Sequence, residues 1–256
     1  MSTIVGIVLA FVAILGSMVM EGGNPAAMIA PPAMFLVFIG TFGVCMAGTV
    51  MGDSKAVFGN LKRAMTAKPG EIGELIQQMV KFAEIARREG LLALEDAAKG
   101  IEDPFLKKGI ELAIDGTDPE ELEEIMSAEI SAKKSADKSA AKFFENMGGF
   151  APTLGIIGTV LGLVHVLQNL SKPETLGESI SGAFIATLWG VMSANVMWLP
   201  IANKLKRIGE DEVHNMDIIL EGIMSIQAGA NPRVIEQKLM AFVPEKQRPV
   251  AEEKAA

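Results

Sequence analysis

One cysteine and two histidines among 256 residues leave little material for disulfide or metal chemistry. Cys45 has no second thiol to pair with and lies inside an apolar run, which excludes a disulfide framework and a cysteine-built metal site. His165 and His214 are too few and too scattered for a histidine metal centre, so no metal is expected. Charge is missing in a more organised way. Met1 to Met20, Gly22 to Gly52, Asn146 to Ser171 and Ser179 to Asn203 contain no Asp, Glu, Lys or Arg, so all 23 basic and 31 acidic residues crowd into the rest of the chain. A helix needs about 20 apolar residues to cross a bilayer, and four runs near or above that length exclude a single water-soluble globule. The formal net charge of -8 argues against nucleic acid as a partner.

What is present reads as an all-α polytopic membrane protein with four transmembrane helices in two hairpins and a helical cytoplasmic domain. Ile4 to Met20 has no Lys or Arg before it and another long apolar run after it, so it reads as a retained span rather than a signal peptide. Glu21, Gly22, Gly23, Asn24 and Pro25 make a tight turn, and Met28 to Met51 returns with Pro31 and Pro32 placed early, where missing backbone donors cost least. Phe150 to Leu170 and Ile180 to Ala202 form the second hairpin, joined around Ser171, Lys172, Pro173 and Glu174. Of the 23 basic residues, 14 lie between Asp53 and Glu145 and 8 follow Asn203, which places both large charged segments and both termini in the cytoplasm. The expected divisions are a first hairpin at 1–52, a cytoplasmic helical domain at 53–147, a second hairpin at 148–203, and C-terminal helices and tail at 204–256.

The charged segments carry helical punctuation. From Glu71 to Arg88 apolar residues recur at three and four positions until Gly90, Leu91 to Ala98 follows, and Pro104 opens another helix through Ile114. Asp118 before Pro119, with Glu120 and Glu121 behind it, is a strong start, and nothing breaks the stretch before Gly148. The spacing predicts one stalk-like helix feeding the third span. Val213 to Ile226 is helical and stops at Gly229, Asn231 and Pro232 open a last helix through Leu239, and Pro244 to Ala256 reads as frayed.

No nucleotide loop, metal cluster or nucleophile beside a base is present, so the chain is not read as an enzyme and no cofactor is expected. A carrier of ions needs an ionisable group at bilayer depth, and the spans offer only His165, a weak candidate, since a lone histidine in a span is more commonly a neutral side chain bonded to a neighbouring helix. Either the chain moves no ion or a partner helix supplies a carboxylate. Gly155, Gly158 and Gly162, and Gly182, Ala186 and Gly190, put small residues at close-packing intervals. Thr153, Thr159, Thr187, Ser193 and Asn195 add polar groups that line a narrow wet path or simply bond their own helices. Pro152 and Pro200 stand near the same end of their spans as hinges or passive kinks. Arg87 and Arg88 before Gly90, with Glu95 and Asp96 after it, form a solvated face or a docking patch for a charged partner.

The segments "RREGLLALED", "KKGIELAIDGTDPEEL", "FAPTLGIIGTVLGLVHVL", "TLWGVMSANVMWLPIANKL" and "IQAGANPRVIEQKL" occur in an order that resembles the MotA/PomA family of flagellar stator subunits. The resemblance implies that Arg87 and Glu95 are the torque-bearing pair that acts on the rotor protein FliG, with Arg88 and Asp96 as neighbours in the same patch, and that Pro152 and Pro200 are functional prolines. It implies a ring of five subunits in the bacterial inner membrane around two copies of a MotB/PomB-like protein, whose single span supplies the ion-accepting aspartate and whose outer domain grips peptidoglycan. The translocated ion is then H+ or Na+. Thr159 matches a threonine of the sodium-driven branch and Thr187 a hydroxyl common to both branches, whereas Ala186 departs from the paired threonines of the sodium type. The rival resemblance is to ExbB/TolQ energy-transducing channel subunits, which are expected to have one span, not two, before the cytoplasmic domain.

Overall fold

Four helical segments open on the same two-residue device, a short polar side chain followed by proline. Asn24, Asp103, Asp118 and Asn231 each accept a hydrogen bond from a backbone N–H two residues on, at 2.8–3.1 Å, while the following proline supplies a preset φ where no donor is needed. These starts appear in a computed structural model that describes residues 2–67, 72–171 and 173–243. Among those residues all regular structure is helical.

The helices are α1 (Ser2–Met20), a 3-10 turn (Pro25–Met28), α2 (Pro31–Ala47), α3 (Met51–Thr66), α4 (Ile72–Glu89), a 3-10 turn (Leu91–Ala93) and α5 (Leu94–Ala98). They continue as α6 (Pro104–Ile114), α7 (Pro119–Gln168), α8 (Pro173–Met192), a π-helical turn (Ser193–Trp198), α9 (Leu199–Gln227) and α10 (Pro232–Ala241). The single long helix expected from Asp118 onward is present: α7 runs for 50 residues with Pro152 inside it. Glu71, Lys172 and Pro244 to Ala256, which figure in the expected α4 start, second short loop and frayed tail, lie outside the described residues.

Three departures from the expected elements have local causes. The second apolar helix stops at Ala47 instead of Met51, because Gly48 caps it and the Thr49 hydroxyl turns back onto the Cys45 carbonyl at 2.9 Å. A separate α3 follows, burying Ser54, Val57 and Ala64, where the sequence carries few long apolar side chains to mark a helix. Leu91 to Ala98 is a 3-10 turn leading into five α-helical residues, since Gly90 at φ +88° fixes a sharp exit from α4.

The chain forms two compact units, residues 1–67 with 136–208 and residues 68–135 with 209–256. In the second, α4, α6, α10 and parts of α7 and α9 enclose a core that includes Ile76, Met79, Leu106, Ile110, Leu122 and Ile218, all without appreciable exposure. Gly109 gives up its side chain there to make room for Ile223 and Met126. In the first, α2 buries Ala33, Val37, Thr41 and Cys45, one residue per turn. Cys45, Phe143, Phe144 and Leu205 share one cluster, and Val37, Ala151 and Ala194 another. Arg63 on α3 bonds Asp137 on α7 at 2.5 Å with both side chains largely covered, a pair 74 positions apart that no local pattern announces.

Three helices, α1 and the apolar parts of α7 and of the segment beginning at Leu176, are long and apolar enough to cross a membrane; Pro31–Ala47 is a shorter apolar helix.

The cap of α6 is directly testable. Asp103 accepts from the N–H groups of both Phe105 and Leu106, so Asp103→Ala should cost about 1 kcal/mol. Hydrogen exchange should quicken in the first turn of α6, and Asp103→Ser should restore most of the protection.

Candidate functional site: a hydroxyl pair at a close helix crossing

The apolar helices between residues 150 and 203 owe their geometry to missing side chains. A Cβ on Gly155 would stand 2.8 Å from the Ala186 carbonyl oxygen and 3.1 Å from Thr187 Cα. One on Gly190 would meet the Ala151 carbonyl oxygen at 2.7 Å and Gly155 Cα at 3.0 Å. The backbones of α7 and α8 are therefore in direct contact, and Gly158 and Gly162 extend the seam against Ala186 and Ala183. Gly182, expected in the same stripe, faces open space instead.

That contact brings Thr159 and Thr187 together. Their hydroxyls are hydrogen-bonded to each other across the crossing. Thr159 Oγ1 also lies 3.0 Å from the Ala183 carbonyl and 3.2 Å from that of Gly155, and Thr187 Oγ1 lies 3.3 Å from the Gly155 carbonyl. Two hydroxyls and two carbonyls thus form a half-buried cluster of oxygens with only two protons to share. Such a group can accept as well as donate, and hydroxyl and carbonyl oxygens are the ligands that replace water around an alkali cation.

The other polar residues of these helices behave differently. Thr153 donates to Phe150 at 2.7 Å, Ser193 to Gly190 at 3.2 Å and Asn195 to Val191 at 2.8 Å, each onto its own helix. The last two tie up carbonyls just where the helix widens into the π turn, with Leu199 N–H bonding Ala194. Pro200 follows directly, at a point where an ordinary turn would require its missing N–H. Pro152 packs its Cα near Gly190, while Pro200 follows ten residues further along the opposing segment, about 15 Å away along its axis, beside Leu199, whose side chain faces Gly148. The π turn is invisible to hydrophobic periodicity.

His165 is exposed, and the contact it makes is within its own helix, to Asn169. It is not brought to the hydroxyl pair. His214 is half-buried with Nε2 3.0 Å from the Phe242 carbonyl. Trp189 on α8 donates to the Met28 carbonyl at 2.7 Å, and Phe38 meets Trp189 and Trp198 edge-on, which fixes α2 against this pair of helices.

In the other unit, Arg87 and Arg88 occupy the last turn of α4 and Glu95 and Asp96 the first turn of α5, each sign matching its helix dipole. All four side chains are exposed, and Leu92, 73% exposed, stands on the turn between them. Among the described residues no ion pair joins the two arginines to the two carboxylates. Asp96 is bonded by Lys99 at 2.7 Å, which holds its carboxyl below the ordinary value through that hydrogen bond and the ammonium charge. No grouping of three or more His, Cys, Asp or Glu that would hold a metal occurs among the described residues.

Residues 97–218 match the family model described as the MotA/TolQ/ExbB proton channel family, and residues 4–90 that of the Motility protein A N-terminal region. The chain is 38% identical over 249 residues to Motility protein A of Bacillus subtilis, covering 96% of this chain and 92% of that one. It is 32% identical to Chemotaxis protein PomA of Vibrio alginolyticus over 97% of each. Among solved structures, C. jejuni MotAB gives a TM-score of 0.93 at 35% identity over 98% of both chains. The flagellar MotAB stator complex of Bacillus subtilis gives 0.89 at 38% identity over 96% of this chain and 98% of that one.

Two tests follow from this geometry. Gly190→Ala should destabilise the folded protein by about 1–3 kcal/mol, because backbone rather than a flexible side chain occupies the space, whereas Gly182→Ala should stay within about 0.5 kcal/mol; thermal unfolding compares them. For the patch, a carboxyl titration by NMR should show Asp96 moving upward toward the ordinary aspartate value in Lys99→Ala, which removes the hydrogen bond and the ammonium charge that hold it down. The favourable Asp96–Lys99 contact is complete above the ordinary carboxylate value and disappears as pH falls through the depressed one.

Proposed function

From the premise that the chain belongs to the MotA/TolQ/ExbB proton channel family, we propose that it works as a flagellar motor stator subunit, a channel component and not an enzyme. With a MotB-like partner it forms a cation channel in which ion flow drives torque on the rotor. One observation carries the reading: the crossing of α7 and α8 assembles hydroxyl and carbonyl oxygens at Thr159 and Thr187, yet the apolar runs contain no carboxylate to bind and release the ion. A channel with half of its ion chemistry needs a second protein for the other half. The match of residues 4–90 to the Motility protein A N-terminal region favours a stator subunit over an ExbB/TolQ-type one.

In this reading α1, α2, the second part of α7, and α8 with the start of α9 are the four spans. At 17 residues and about 1.5 Å each, α2 reaches about 25 Å, the short end of what crosses a bilayer. Both termini and the charged helices lie in the cytoplasm of a bacterium, and the spans sit in its inner membrane. Five subunits surround two partner helices, each bringing the aspartate that the ring lacks and a peptidoglycan anchor beyond the membrane. Thr159 and Thr187 stand beside the path of H+ or Na+, with His165 a weak further contributor.

Pro152 and Pro200 serve as points of bending, supported by their place at the glycine crossing and beside the π turn. Arg87, Arg88, Glu95 and Asp96 meet complementary charges on FliG. Their exposure and the lack of mutual ion pairs leave them available to a partner, Asp96 by exchange with its surface contact to Lys99, and steering by such charges acts on association and register more than on stability.

Expression in a non-motile strain lacking its own stator, together with the MotB-like partner, tests the whole reading. Arg87→Glu should abolish swimming while the protein still inserts and assembles, and Arg87→Lys should keep most of it. Swimming that persists without Na+ and stops with a protonophore identifies H+; speed that follows external Na+ identifies Na+. Full motility without any partner carrying a membrane aspartate would refute the proposal.

A further inference from the structure

Between α1 and the region from the π turn to the start of α9 lies a groove of about 500 Å³, within the roughly 300–1,000 Å³ typical of ligand sites. Its walls are apolar along most of its length, where Gly6, Ala10, Val196 and Pro200 line it, and basic where Lys204 and Arg207 do. The hollow exists because α1 presents small residues here: a Cβ on Gly6 would meet nothing within 4 Å. We propose that the groove binds one anionic phospholipid, its acyl chain along the apolar wall and its phosphate against Lys204 and Arg207.

Three observations choose this occupant. Lys204 is the first charged residue after the charge-free run from Ser179 to Asn203, so the basic part falls where the chain leaves the apolar region, at the depth of lipid phosphates. Lys204 is half-buried and has no ion pair among the described residues, which leaves its charge for an external anion. The four apolar runs hold no acidic side chain, so the spans of a second copy would fill the groove without answering its charge. An anionic phospholipid satisfies both parts at once, whereas a free phosphate leaves the apolar length empty.

The inference rests on the reading that α1 and the α8–α9 segment cross a bilayer, and carbonate extraction of membranes tests that premise separately. The intact complex with its partner, in detergent, is then exposed to vesicles of phosphatidylglycerol or of phosphatidylcholine, and retained lipid is counted by native mass spectrometry. The wild type should retain phosphatidylglycerol in preference. Lys204→Gln with Arg207→Gln should lower that retention at least five-fold, since each basic residue near a lipid surface contributes roughly that factor. Lys204→Arg with Arg207→Lys should preserve it, and Ala10→Leu should reduce retention of both lipids by filling the groove. Equal retention of the two lipids by wild type, or undiminished phosphatidylglycerol in the double Gln variant, would overturn the site. So would a subunit-to-subunit disulfide formed at high yield by Gly6→Cys, which would show a second copy seated there. Release of the wild type by carbonate would instead remove the membrane premise itself.

Discussion

The contact of backbone on backbone at Gly155 and Gly190 sets the position of everything around it. Side chains of ordinary size would hold α7 and α8 some ångströms further apart, the Thr159 and Thr187 hydroxyls would fall out of reach, and each would turn back to its own helix as Thr153 does. In a lipid surrounding, close packing and hydrogen bonds between helices replace the hydrophobic effect as the source of association. Glycine supplies the first and makes the second possible. A bond of this type contributes about 0.6–2 kcal/mol, modest beside its effect on geometry.

Charge is distributed to fit the same division of labour. The runs without Asp, Glu, Lys or Arg contain the crossing, and the charged residues are gathered into helices whose packing is that of a soluble protein, with Ile110, Leu122 and Ile218 at its centre. Arg63 and Asp137, both largely covered, are paired with each other, since an isolated buried ion would be far more costly. Exposed charge around Gly90 carries no such obligation, so Arg87, Arg88, Glu95 and Asp96 cost little to keep there and satisfy the two helix ends they occupy.

Much of this was legible in the sequence because the relevant signals are local. Asp103–Pro104, Asp118–Pro119 and Asn231–Pro232 mark helix starts by a chemistry confined to three or four residues, and the continuous α7 follows from the lack of any stop signal after Asp118. The glycine spacing of α7 predicted its seam. The spacing of α8 predicted it only partly, since Gly182 has the right interval but faces away. What stayed hidden depends on distant partners or on small changes in winding. The Arg63–Asp137 pair, the fit of Gly109 to Ile223 and the half-buried His214 all need knowledge of which helices meet. The end of α2 at Ala47 turned on one threonine hydroxyl, and α3 lacked a hydrophobic face strong enough to declare itself.

The π turn at Ser193–Trp198 has an effect beyond relieving Pro200. An α-helix advances about 100° per residue, so accommodating one additional residue in a single turn changes the phase of all that follows by about that angle. Asn203, Lys204 and Arg207 consequently line the α1 side of the helix, which uninterrupted winding from α8 would have assigned to a different set of positions. The turn acts as a frameshift written in winding rather than in codons: it preserves the glycine face before it and selects an independent face after it. One continuous rod can thus carry two unrelated binding surfaces, and the number of residues between them is as strictly specified as their identities.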